Sequence, residues 1–250
     1  MSHLRAPRAT LSALVALLLA ACGSGPGGSP ATSRAADTLA PLTDSAFAAV
    51  VQRVSEPGGY FDTDNLISNE AGYLKVLGAL DRLGVHGGAY VGVGPDQSFS
   101  YIARIRPAVA FMMDIRRDNL LQHLLLRALL ERSPTRIAFL SALHGRVPPA
   151  DPDAWRRRSI SEIMAYVDGA PRDTAGEEAL HAGVAGAVAA YGLPLSVEDL
   201  ATIRRFHQSF VDAGPDLRFH SYGRAPRPYY PTYRQLILET DRNGEPSSYL

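Results

Sequence analysis

The feature that most constrains the fold of this chain is a strand, glycine turn, helix and strand pattern across residues 88–119. The segment 89–93 is a short apolar run that ends in a Gly-Val-Gly-Pro turn, as a buried strand of a parallel sheet requires. A helix is predicted from about 96 to 106, and a second apolar run at 109–113 stops at Asp114. Because such a connection crosses over right-handed, the two strands are predicted to be parallel, with both carboxyl ends at one edge.

The edge where the two predicted strands end is the first candidate binding site, because open α/β sheets bind their ligands there. Gly92, Gly94 and Pro95 form the turn after the first strand, where the backbone can approach a ligand closely. Asp114 follows the second strand and could accept from a ribose, although a helix cap would have the same residue pattern. Asp96 could bind a polar ligand or cap the helix that it opens.

A polar loop between residues 55 and 70 supplies further candidates, of which we expect Asn65 and Glu70 to contact a ligand. The loop's polar side chains could form one wall of a site: Asp62, Asp64, Asn65, Asn69 and Glu70. Oxygen ligands of this kind suit calcium or magnesium. Their spacing does not match a calcium-binding loop, so no metal site is predicted.

The remaining chain is predicted to be mainly helical. Helices are expected at about 44–54, 68–83, 116–131, 161–167, 176–191 and 197–211, with N-caps at Ser68, Ser159, Thr174 and Ser196. A doubly wound sheet needs about five to seven strands, yet the other strand candidates, at 137–140, 217–220 and 235–238, are weak. The predicted fold class is therefore α/β with a Rossmann-like parallel sheet and many helices, and we expect the chain to stop before that fold is complete.

Three other groups of residues have both a functional and a structural interpretation. Arg116 and Arg117 open a helix, where they could bind an anionic ligand or pair with acids. The tyrosines and arginines between 227 and 234 could stack a planar ligand or form a loop over the core. His123 is expected to be a hydrogen-bonded histidine on a leucine-rich helix, and no zinc spacing or nucleophilic triad identifies a catalytic residue.

Charge and size narrow the possible partners. The chain carries 25 basic and 25 acidic residues, which gives no electrostatic reason to propose nucleic acid as a partner. Its 250 residues, 46% of them hydrophobic, are enough for one moderately large domain or two small ones.

The N-terminus has the pattern of an export signal. A basic start precedes an apolar stretch at 11–19, which is too short to span a membrane, and Leu-Ala-Ala follows before Cys22, the only cysteine. This pattern resembles the lipobox of bacterial lipoproteins, in which the signal peptidase cuts before the cysteine and lipid is attached to its thiol. The resemblance implies a signal peptide at 1–21, a flexible tether at 22–40 and a domain at 41–250. It also implies a location in the cell envelope, anchored to the membrane and facing away from the cytosol.

The glycine turn also carries a resemblance. Val91-Gly92-Val93-Gly94-Pro95, with Asp114 after the next strand, resembles the first two motifs of class I S-adenosylmethionine-dependent methyltransferases. The resemblance implies that the turn lies under the methionine and ribose of the cofactor and that Asp114 holds the ribose hydroxyls. Two positions depart from the pattern, since Tyr90 stands where an acid is usual and Asp96 stands where a small residue is usual.

A wider stretch, about 55–131, resembles an uncharacterised bacterial lipoprotein family with the same methyltransferase-like fold. The motifs that carry this likeness are Glu56-Pro-Gly-Gly-Tyr-Phe-Asp, Asn65-Leu-Ile-Ser-Asn-Glu and Asp114-Ile-Arg-Arg-Asp-Asn. We expect a mainly helical insertion from about 134 to 225 in this domain. The leading hypothesis is a lipid-anchored exported protein that binds a small adenosyl-type or other polar ligand, with S-adenosylmethionine as a possible cofactor. The alternatives are a non-catalytic envelope scaffold and an active methyltransferase.

Overall fold

The computed structural model describes residues 42–63, 65–222, 225 and 229–250. The expected signal peptide, most of the tether and Cys22 lie outside these residues, and the domain limits stay predictions. The described strands are β1 (Ala89–Val93) and β2 (Val109–Met113). The described α-helices are α1 (Asp44–Val54), α2 (Leu77–Leu83), α3 (Gln97–Ile105), α4 (Arg117–Arg132), α5 (Arg136–Leu143), α6 (Ile160–Gly169), α7 (Glu177–Ala190), α8 (Val197–Ala213) and α9 (Tyr233–Leu238).

The two strands form a small parallel sheet. Val91 lies opposite Phe111 and Val93 lies opposite Met113, so each pair projects from the same face of the sheet. The predicted limits of both strands, 89–93 and 109–113, are confirmed, as is a helix between them. Within the described ranges the protein is thus a mixed α/β chain, mostly helical, whose sheet has two strands.

The prediction that these strands are buried is wrong. One face of the sheet is covered by α3, where Tyr90 of β1 stacks on Tyr101 with ring centroids 6.2 Å apart. On the other face, side chains of both strands are exposed to solvent, among them Val91 and Phe111. A buried parallel strand needs cover on both faces, and the described residues cover only one.

The hydrophobic core is organised around α4 instead of the sheet. Leucines on most sides of this helix are fully buried, including Leu121, Leu125 and Leu129. They pack against α5, α7 and α8. The predicted burial of this helix is therefore confirmed, and the same helix begins at the carboxyl edge of the sheet, so it joins the core to that edge.

Two of the three weak strand candidates are helices, because threonine caps decide the structure of short apolar runs. Thr135 Oγ1 accepts a hydrogen bond from Ala138 N at 3.2 Å at the start of α5. Thr232 and Gln235 form a capping box at the start of α9. The segment 217–220 makes only an isolated antiparallel bridge, between Arg218 and Thr232.

The predicted caps have mixed outcomes. Ser159 and Ser196 each open a helix with a complete capping box, which confirms both predictions. Ser68 instead closes a local turn, because its hydroxyl donates to Glu70 O at 2.8 Å, and the predicted 68–83 helix is a short 3-10 segment followed by α2. Thr174 is also wrong as a cap, since Gly176 N donates to Asp173 Oδ1 at 2.8 Å before α7 begins.

Among the described residues, no helix is both long enough and apolar enough to cross a membrane.

Candidate functional site

Several predicted site residues meet at the turn after β1. Gly94 has a φ of 92°, a value that favours glycine, and its carbonyl accepts a hydrogen bond from His123 Nε2 at 3.0 Å. Gln97 Nε2 donates to Val93 O at 3.5 Å. The Asn65 Nδ2 atom lies 3.8 Å from the position that a Cβ on Gly94 would take. The structure thus brings Asn65 and Gly94 together at the predicted edge.

His123 also belongs to this group, although it was predicted only to be a hydrogen-bonded structural histidine. The Gly94 carbonyl can only accept, so Nε2 carries the ring proton and Nδ1 is an acceptor. Burial lowers the pKa of His123, which keeps the ring neutral. Its Nδ1 and the Asn119 Nδ2 one helical turn earlier are buried, and neither has a hydrogen-bond partner in the part of the chain that the structure describes. Their spacing of four residues was the signal in the sequence.

Asp114 is at the predicted edge, but its carboxylate is engaged by a neighbouring arginine. Asp114 Oδ1 accepts from the backbone N of Arg116 at 2.9 Å and from its Nε at 3.2 Å, and Oδ2 accepts from its Nη2 at 3.4 Å. The two side chains are only 9% and 8% exposed. Arg116 Nη1 also donates to Thr63 O at 2.7 Å. Asp114 therefore orients an arginine that binds the backbone at Thr63 beside the end of β2.

Gly92 lies beneath a side chain of its own strand. A Cβ on Gly92 would be 2.5 Å from the Tyr90 hydroxyl and 2.6 Å from its ring. The Tyr90 ring is held there by Tyr101, whose hydroxyl donates to Tyr73 O at 3.4 Å. Because Gly92 has no side chain, the Tyr90 ring can lie over it.

These contacts bear on S-adenosylmethionine, the cofactor that the family resemblance implies. The resemblance requires the backbone at Gly92 to face the cofactor and Asp114 to accept from its ribose hydroxyls. The first position is covered by Tyr90 and the second is committed to Arg116. The residues present therefore do not fit the cofactor in the expected way, and we derive no reaction step through it.

Asp96 was predicted either to bind a polar ligand or to cap α3, and the structure shows a different arrangement. It makes no side-chain cap bond with α3 and is almost completely buried. Its Oδ2 accepts from the hydroxyls of Tyr233 and Tyr249, each at 2.9 Å, and those hydroxyls are also 2.9 Å apart. Pro95 beside it is buried as well. Asp96 therefore joins the start of α3 to the C-terminal segment instead of facing a ligand.

The three oxygens of this cluster form a closed triangle of hydrogen-bond distances. When both hydroxyls donate to a charged Asp96, no proton remains for the contact between them, whereas a protonated Asp96 allows one donor for each of the three contacts around the triangle. Burial raises the pKa of Asp96 to about 6, although both tyrosine bonds favour the charged form. Desolvation thus outweighs the two hydrogen bonds and favours uptake of a proton in the folded protein.

Glu70 is separated from the other predicted ligand residues. It is exposed and lines a cavity of about 420 Å³, together with Asn69, Ala71, Tyr229, Tyr230 and Pro231. Asp64 and Arg227, two further candidates, lie outside the described residues. The residues of the predicted polar wall therefore lie in two places, with Asn65 near the Gly94 turn and Asn69 and Glu70 at this cavity.

Arg117, the second of the two adjacent arginines, pairs with an acid. It makes a bidentate contact with Asp199, with distances of 2.8 Å from Nε to Oδ1 and 2.7 Å from Nη2 to Oδ2. This contact holds the pKa of Asp199 down at about 2. Since Arg116 also pairs with an acid, the ion-pair interpretation is the one observed for both arginines. In the part of the chain that the structure describes, no three Cys, His, Asp or Glu side chains could hold a metal ion together.

Comparison with known proteins gives one likeness. Residues 66–148 match the family model described as "Domain of unknown function (DUF7790)". This stretch contains the sheet, α3, α4 and α5 but covers less than half of the chain. No curated protein and no solved structure matches the chain.

Substitution of Asp96 by Asn tests the proton assigned to the triangle. The pKa of Asp96 lies above its ordinary value of 3.8 in the folded protein, so the contribution of Asp96 to stability is greatest below about pH 4 and falls as the pH rises to about 6. The loss amounts to about 3 kcal/mol over this window. Asp96→Asn removes the titrating group, so urea unfolding at a series of pH values is expected to show a flatter profile. Identical slopes for the two proteins would contradict the assignment.

Substitution of Gly92 by Ala tests what the glycine is for. The new methyl group collides with Tyr90, so we expect a loss of about 1–2 kcal/mol in the free energy of unfolding. The loss should be smaller when Tyr90→Ala is also present, because the collision partner is gone. Gly72→Ala is the control, since nothing lies within 4 Å of its added Cβ. Unchanged stability in Gly92→Ala would argue that the glycine serves a ligand.

Proposed function

We propose that this protein is a non-catalytic binding protein of the cell envelope that associates with a second copy of itself through the open face of its sheet. The observation that carries the proposal is the row of exposed apolar side chains on that face. Val91 is 60% exposed, Val93 61%, Phe111 39%, Met113 53% and, just beyond β2, Ile115 59%. We call these five residues the sheet patch.

The sheet patch is contiguous because of the strand register. Val91 pairs with Phe111 and Val93 pairs with Met113, so the four side chains form two adjacent rows. Ile115 follows Met113 by two residues and continues its row. A sheet of two strands is marginal unless its faces are packed, and α3 packs only the opposite face. We therefore expect another molecule to cover the sheet patch.

The area of the patch suits a protein interface. Its five side chains expose on the order of 500 Å² in total, near the upper end of what monomers usually expose in one patch. Gly59 N donates to Ile115 O at 2.6 Å, which brings the next residues, Tyr60 and Phe61, near the end of the sheet patch. They are 79% and 53% exposed. With them the surface approaches the roughly 800 Å² per partner of a standard interface.

A second copy of this chain is the occupant that the surface chemistry favours. The sheet patch contains no charged residue, and a two-fold axis brings the same surface onto itself. Two such faces meet without like-charge repulsion, and sheets pack face to face at about 10 Å. The opposing rows of valine, phenylalanine and methionine would then exclude water from each other.

The remaining parts of the proposal rest on the sequence. Attachment of lipid to Cys22 and export to the envelope are supported by the basic, apolar and Leu-Ala-Ala-Cys pattern of residues 1–22. A Rossmann-like origin of the domain is supported by the parallel β1–α3–β2 unit. Ligand binding or methyl transfer at the glycine turn has less support, because Tyr90 and Arg116 take the positions that a cofactor would need.

The association is tested by sedimentation of the full chain carrying Cys22→Ser, which removes the lipid-attachment residue. We expect a concentration-dependent dimer that Val91→Glu converts to a monomer, because two carboxylates would be buried in the interface. Val197→Glu is the matched control, since Val197 is 79% exposed at the start of α8 and does not belong to the sheet patch. A parent protein that stays monomeric at 100 µM, within about the range of weak homodimers, would refute the proposal.

The anchor is tested separately by labelling cells with palmitate. The wild-type chain is expected to incorporate label and to sediment with membranes, and Cys22→Ser is expected to lose both properties. Equal labelling of the two proteins would contradict the lipid anchor without bearing on the dimer.

A further inference from the structure

We propose that a groove between α7 and α8 binds an apolar carboxylic acid of medium chain length, with its carboxylate on Arg204 and its alkyl chain on the groove floor. The groove encloses about 340 Å³. Its floor includes three buried apolar residues, Leu125 of α4, Val184 of α7 and Ile203 of α8. This surface is separate from the sheet patch, and the proposal does not depend on dimer formation.

The wall of the groove contains a pair of histidines that is neutral and fixed in orientation. His207 Nε2 lies 2.9 Å from Ala142 O, and His207 Nδ1 lies 2.8 Å from His181 Nε2. The Ala142 carbonyl only accepts, so His207 Nε2 carries a proton, its Nδ1 accepts, and His181 Nε2 donates. Burial lowers the pKa of both rings. The wall therefore offers an alkyl chain a surface without charge.

The charged side chains that line the groove stand at its rim. Arg204 makes a bidentate contact with Glu178, at 3.2 Å from Nη1 to Oε1 and 2.6 Å from Nη2 to Oε2. More than half of each side chain is exposed. Exposed pairs of this kind are weak because water competes with them. The carboxylate of a ligand can therefore replace that of Glu178 on the same guanidinium.

The volume of the groove fits a small molecule better than a peptide helix. One turn of helix about 10 Å across fills roughly 400 Å³, more than the groove holds. A saturated chain of roughly ten carbons fits if each carbon needs about the volume of a liquid water molecule. Val197 and Leu200, which are exposed at the groove, would be covered by such a chain. Volume, apolar floor and rim arginine thus define the same class of ligand.

Titration calorimetry of the full chain carrying Cys22→Ser tests the proposal, with decanoate as the probe and decanol as its uncharged counterpart. We expect decanoate to bind at submillimolar concentration, and each methylene removed from it to weaken binding up to about fourfold. Arg204→Gln should weaken decanoate at least tenfold and leave decanol unchanged. Glu178→Gln should strengthen decanoate binding, because it frees Arg204 from its competitor.

Two alanines of α7 provide a matched pair that locates the site. Ala185 lines the groove, whereas Ala189, one turn later, is exposed outside it. Ala185→Leu should fill the groove and weaken decanoate at least tenfold, and Ala189→Leu should leave binding unchanged. The proposal is overturned if decanoate gives no heat at 1 mM (a limit of roughly −4 kcal/mol), if both leucine variants behave alike, or if Arg204→Gln weakens decanoate and decanol equally.

Discussion

Burial of α4 is the constraint on which the rest of the structure depends. Its leucines form the centre of a core shared with α5, α7 and α8. The polar side chains of the same helix reach outward to fix the surrounding segments: His123 binds the Gly94 turn, Gln122 Nε2 donates to Leu66 O at 2.5 Å, and Arg117 holds Asp199 at the start of α8. The small sheet is therefore positioned by a helix end, and it need not form a core of its own.

The acids at the sheet edge show why a binding motif and a structural connection look alike in sequence. A carboxylate that can accept from ribose hydroxyls can equally accept from an arginine or from tyrosine hydroxyls. Asp114 takes its partner two residues away, so this outcome was open to sequence analysis. The partners of Asp96 lie 137 and 153 residues away in sequence, and no local pattern indicates them. Their contact is a product of the fold.

Features that depend on local sequence could be predicted, whereas features that depend on contacts between distant residues could not. Both strand limits, α1 and the leucine-rich α4 follow from periodicity and turn residues, which act locally. Runs of four apolar residues, such as 235–238, fit strand and helix equally, and the Thr232 cap decides between them. An apolar strand has the same sequence pattern whether residues of its own chain or another molecule cover it. The exposure of Val91 and Phe111 could therefore not be predicted. Asn65 and Gly94 were placed correctly at one edge, whereas Glu70 was not.

The free energy of association relates the proposed dimer to the proposed lipid anchor. Covering on the order of 500 Å² of apolar surface on each copy favours association by at most about 12 kcal/mol per copy. Loss of rotational and translational freedom opposes association by about 4–15 kcal/mol, and ordering of side chains such as Phe111 and Met113 adds to that cost. For the two copies together the apolar contribution is at most about 25 kcal/mol, so an upper bound on the surplus is roughly 10–20 kcal/mol. Buried area alone therefore does not set the affinity of free copies. Attachment to one membrane raises their effective concentration without any new contact. Even a weak apolar face is therefore sufficient for a scaffold whose copies share a membrane surface.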